Sequence, residues 1–169
     1  MSGGEQGQTR ADGVQPRVLG DIIQYWRALR PLDLVPSRHD IKPTSIPRLL
    51  PYIALMDVIA REPLSLRYRL VGTGIARIFG RDLTNRDVRE AFPDPIWAEV
   101  EADLRRAIVE GTMTTRVHRL TVFGGEQALF ARIALPLATD HRTVDALLIG
   151  LAPVDERDAP WPYRPAPAG

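Results

Sequence analysis

The chain contains no cysteine, which excludes disulfides, thiolate metal sites and thiol catalysis of any kind. Lysine is nearly absent as well, Lys42 being the only one, so the positive charge is carried by arginine. Against 22 basic residues stand 21 acidic ones, a net charge of +1, and so balanced a chain has no global field to draw it onto nucleic acid or an anionic membrane. No apolar run approaches the roughly 20 residues of a membrane span. The N-terminus Met1-Ser2-Gly3-Gly4-Glu5-Gln6 lacks the basic and apolar regions of a signal peptide, so a soluble, cytoplasmic protein is expected.

Catalytic groups are equally sparse. Serine occurs only at Ser2, Ser37, Ser45 and Ser65, none in a nucleophile-elbow setting. Ser37, His39 and Asp40 adjoin in sequence, but triad members meet from separate elements, and such clusters are usually turn and capping groups. His39, His118 and His141 lack zinc-ligand spacing. Gly72 and Gly74 fail the dinucleotide pattern because its third glycine falls at Arg77, and no P-loop lysine follows. An enzyme is not expected.

What is present is punctuated apolar periodicity. Residues 1–17 are polar and glycine-rich and read as a tail. Ile22, Ile23, Trp26 and Leu29 recur at helical spacing, with Asp21 placed as an N-cap or first-turn acid and Pro31 as the stop. Two apolar runs, Ile53 to Ile59 and Leu66 to Val71, predict an antiparallel strand pair with Leu66, Tyr68 and Leu70 on one face and Arg67 and Arg69 on the other. Those arginines suit either a carboxylate clamp or pairing with Asp57. Thr73 is placed to cap a helix ending at Gly80. Asp94 and Pro95 open a longer helix whose Trp97, Val100, Leu104 and Ile108 form a stripe up to Gly111. Strands are predicted near Met113 to Val122, Gln127 to Leu135 and Val144 to Leu151, the first two joined at Gly124-Gly125. Residues 153–169 are proline-rich and read as a second tail.

The segments Tyr68-Arg69-Leu70-Val71-Gly72-Thr73 and Phe79-Gly80-Arg81-Asp82-Leu83-Thr84 are the most informative. With Pro36-Ser37-Arg38-His39-Asp40-Ile41, Ile46-Pro47-Arg48-Leu49-Leu50-Pro51 and the Trp26 helix, they make the chain resemble the small stand-alone bacterial PAS-domain proteins. The position after Leu83-Thr84 departs from the pattern, holding Asn85 where glycine is usual. Asparagine tolerates positive φ, so the turn is expected to survive.

The resemblance implies an α/β (α+β) PAS fold over residues 18–152: a five-stranded antiparallel sheet with helices on one face and the N-terminal helix outside. It implies a non-catalytic sensory or regulatory module that binds a small molecule or a protein partner and signals through dimer or partner contacts. The alternative is a structural interaction adaptor with a filled core and no ligand. Candidate pocket residues are Tyr68, Phe79, Phe92, Trp97, Leu104 and Phe130, and the candidate homodimer interface is Ile22, Ile23, Tyr25, Trp26 and Leu29. Any output is expected to pass through a second copy or a signalling partner. No cofactor is assigned. The helix from Ile96 to Glu110, where haem-binding PAS domains commonly carry their ligand, has no histidine and leaves His118 as the residual candidate. Cysteinyl-flavin photochemistry lacks its thiol, while flavin binding of another kind stays open.

Overall fold

The computed structural model describes residues 16–154. The tail readings for residues 1–15 and 155–169 lie outside them. Helix α1, Arg17–Ala28, leads through short 3-10 turns at Arg38–Asp40, Pro43–Ser45 and Leu50–Tyr52 into strand β1, Ile53–Arg61, and strand β2, Leu64–Val71. Helix α2, Thr73–Phe79, a turn at Val88–Ala91 and helix α3, Asp94–Glu110, follow, and strands β3, Thr114–Thr121, β4, Gln127–Leu137, and β5, Ala146–Pro153, complete the domain. Among the described residues the strands form one antiparallel sheet in the order β2-β1-β5-β4-β3. It is the five-stranded architecture the sequence implied.

The sheet is covered on both faces. On one side α2, α3 and the turn between them close over Met56, Tyr68, Phe130, Ala134, Leu147 and Ile149. On the other, α1 lies against Ile53, Ile133, Leu135, Ala146 and Leu148. Strand β5 alternates between the two cores, and burial on both faces explains why Ala146 to Ala152 is apolar throughout.

Two helices end where their glycines allow it: Gly80 and Gly111 sit at C-caps with φ of 70° and 64°. Asn85 takes φ 66°, the conformation expected of it. Helix starts differ from expectation. Helix α1 begins at Arg17 after Pro16, so Asp21 lies within the helix rather than at its cap. Gly72, not Thr73, is the N-cap of α2, and Pro93 precedes Asp94 at the start of α3.

The shared face expected for Leu66, Tyr68 and Leu70 also changes. Strand β2 is an edge strand, and its register with β1 shifts between Leu55 and Met56, so that Met56 faces Tyr68 while Leu55 faces Leu70. Arg69 is the extra residue of this bulge, which turns Leu70 to the α1 side of the sheet and away from Tyr68.

Candidate functional site

The space between the sheet and its helices holds a cavity lined by Ala54, Met56, Tyr68, Ile75, Phe79, Phe92, Arg132, Ile149 and Leu151. About 10 Å³ of it is open to the centre of a water-sized sphere, close to the least that houses one water. The wall comes from four strands and from α2, with Phe92 closing it from the turn before α3. Phe79 is its half-buried member, and its ring meets Phe92 edge-on, 6.0 Å between centroids.

Of the six pocket candidates, Tyr68, Phe79 and Phe92 line this cavity. Trp97, Leu104 and Phe130 are buried in the same core but stand away from its wall.

Arg132 is the group that apolar periodicity does not select. It sits on β4 in a run that is otherwise apolar, Ala128 to Ala138, and only 2% of it is exposed. Its Nη2 donates to Asp103 Oδ2 at 2.9 Å. The same oxygen accepts from Arg116 Nε, and Asp103 Oδ1 accepts from Arg116 Nη2 at 3.0 Å. Arg132 therefore holds one bond to an oxygen it shares, while its Nε and Nη1 are buried without an acceptor. Burial lowers the pKa of Arg132 to about 10 in spite of the Asp103 charge. Asp103, although burial pushes it upward, is held below its ordinary value by Arg116 and Arg132. Asp103 lies inside, and a carboxylate interrupting the stripe of Val100, Leu104 and Ala107 is the signal that marks it.

His118, on β3 opposite Phe130, is 4% exposed, and its Nε2 has no partner. Burial, reinforced by the charges of Arg132 and Arg116, lowers its pKa to about 4, so it is neutral at pH 7. It does not line the cavity, which leaves the residual haem reading without a facing ligand. A flavin ring is far larger than the space available, so the residues present do not fit that group. Tyr68 does line the cavity, and burial raises its pKa, keeping the phenol a hydrogen-bond donor.

The remaining candidates fall into structural roles. Ser37 and Asp40 form a reciprocal capping box around Arg38–Asp40. Arg69 donates to Asp57 at 2.8 Å and Arg38 to the same carboxylate at 2.9 Å, the pairing expected of a strand arginine rather than a free clamp. Of the interface candidates, Ile22, Ile23 and Trp26 are buried, with Leu19, against the chain's own sheet. Trp26 Nε1 donates to Pro136 O at 2.9 Å, and Tyr25 Oη accepts from the backbone of Lys42. Leu29 is half-buried at the helix end. The apolar surface that motivated a dimer through α1 is thus covered within the chain.

A family model described as a PAS domain matches residues 14–152. No curated protein matches. Among solved structures, a light-oxygen-voltage domain studied with a flavin analogue aligns with TM-score 0.52 and 17% identity, over 68% of this chain and 84% of its own. The light-oxygen-voltage protein of Rhodobacter sphaeroides aligns with TM-score 0.52 and 16% identity, over 81% and 69%. The dark structure of the blue-light photoreceptor Aureochrome1 gives TM-score 0.52 and 13% identity, over 69% and 86%. Identities this low establish a shared fold.

Proposed function

Because the chain belongs to the PAS domain family, we propose that it is a non-catalytic sensory or regulatory module that takes a small molecule into the cavity between sheet and helices. Its output passes through contacts with a second copy or with a signalling protein. The observation that supports a ligand is the cavity itself, whose wall draws Tyr68, Phe79 and Phe92 together with the stem of Arg132, a guanidinium whose buried Nε and Nη1 lack acceptors. Native proteins rarely leave such donors bare, since each costs about 1–3 kcal/mol. With α1 committed to its own sheet, the output surface lies elsewhere. Leu32, Val109 and Phe123 are exposed apolar side chains outside both cores.

A second reading, an interaction adaptor with a filled core, is supported by the small volume of the cavity. Native mass spectrometry of protein purified without refolding separates the two. The sensory reading expects a small-molecule adduct, on a monomer or on a dimer. A bare mass in either state would refute it and favour the adaptor.

A further inference from the structure

We propose that the outer edge of strand β3 is a docking site for an acidic segment of a partner protein, taken up in extended form as a further strand of the sheet. This deepens the reading that output passes through a signalling protein and rests on it. The two edges of the sheet differ. Along β2 the chain covers its own edge: Tyr68 N donates to Arg86 O at 3.0 Å, Asn85 N donates to Tyr68 O at 2.7 Å, and Arg67 forms a bridge with Asp87. Along β3 every backbone pairing among the described residues is with β4, so one side of the strand keeps unmatched donors and acceptors. An open edge of that kind is a template for another strand.

The side chains on and beside β3 specify the occupant. Successive residues point to opposite faces. Leu120 belongs to the core under α2 and α3, whereas Val117 packs toward the α1 core and Arg119 stands exposed on the same face as Val117. From Thr114 to Leu137 the hairpin carries the arginines 116, 119 and 132 and a single acid, Glu126, in its turn. The ion pairs that β3 makes among the described residues all belong to Arg116, which meets Glu99 and Asp103 of α3. Arg119 is thus left to attract a carboxylate on an incoming strand. A second copy of this chain fits less well, because antiparallel pairing of two β3 strands brings arginines together with no carboxylate on either strand. At the turn end of β3, Phe123 is 76% exposed, with its N–H donating to Ile78 O at 2.7 Å and its ring against Gly80. An exposed aromatic held in place by α2, near an exposed arginine, supplies the residue types that anchor interfaces. The matching segment is acidic on the face it shares with Arg119 and apolar on the face it shares with Leu120.

The test uses the full chain and three fluorescein-labelled octapeptides. One alternates valine and glutamate, the second has lysine in place of glutamate, and the third is the valine–glutamate peptide methylated at every backbone nitrogen. Fluorescence anisotropy should show saturable binding of the first, about ten-fold or more tighter than either control and weaker at high salt. Amide exchange followed by NMR should find the β3 amides that point away from β4 fast in the free chain and slowed by the peptide, a change that binding on a sheet face would not give. Arg119→Glu should weaken binding about ten-fold or more, and Phe123→Ser several-fold. The peptide comparisons on the wild type stand even where a variant fails to fold. Absence of saturable binding, equal affinity for the lysine or methylated peptide, or unchanged exchange along β3 would overturn the proposal. Slow exchange of the outward β3 amides in the free chain would overturn it too, since the edge would then be covered by the chain's own terminal segments or by a second copy. A small-molecule adduct in native mass spectra, together with silent peptide titrations, would overturn this docking site while the sensory reading stood.

Discussion

Asp103 is the position where one substitution separates a buried charge network from ordinary packing. Its carboxylate is the only acceptor seen for Arg132 among the hydrogen bonds of the described residues, and Arg132 is 2% exposed. Replacing Asp103 with leucine leaves that guanidinium buried with no counter-charge, and breaking a buried pair in this way costs about 3–5 kcal/mol. Arg116 suffers less, because 39% of its side chain is exposed and Glu99 is near. In a chain of this size about 1 kcal/mol moves Tm by roughly 2–4 °C, so the fall should be on the order of 10 °C. Arg132→Met is expected to cost less, about 0–2 kcal/mol, since Asp103 keeps Arg116 and methionine fills much of the arginine stem. The informative variant is the double one. With both charges gone, Asp103→Leu/Arg132→Met should be more stable than Asp103→Leu alone, a coupling of about 1–3 kcal/mol. Urea unfolding of the four proteins, with m-values checked for constancy, measures the cycle. Costs that simply add, or an Asp103→Leu loss below about 1 kcal/mol, would refute the network's energetic role.

Burial lowers the His118 pKa to about 4 in the folded chain, from an ordinary value of 6.5. The unfolded state therefore binds the extra proton between those values, and stability present above pH 6.5 should fall as pH drops toward 4, by on the order of 1–3 kcal/mol once partial solvent screening is allowed for. A His118→Gln variant whose urea midpoint varies with pH as steeply as the wild type's over this window would contradict that assignment. At Gly72, an added Cβ would lie 2.1 Å from Leu50 O, 2.7 Å from Pro51 O and 2.8 Å from Ile53 O, all backbone atoms. Gly72→Ala should thus cost about 3 kcal/mol through overpacking, and an unchanged Tm would show that this junction yields more readily than its geometry indicates.

Local chemistry carried much of the fold into the sequence. Gly80, Gly111, Asn85 and the Gly124-Gly125 pair mark backbone conformations that few other residues adopt, and each occupies the positive-φ position expected of it. Helical spacing likewise identified the stripe of α3, because the residues that make a helical face lie within a few positions of one another. What lies across the chain was decided by tertiary contact. The side on which α1 lies depends on Trp26 reaching Pro136, 110 residues away. The edge position of β2 and the bulge that turns Leu70 outward follow from pairing with β1, and no local pattern distinguishes an edge from a centre. Arg132 became a site residue only when α3 brought Asp103 over it, 29 positions distant in sequence. Alone, an arginine on a strand reads as solvated, and folding buries it beside a cavity because the strands on either side and the helix above leave it nowhere else to go.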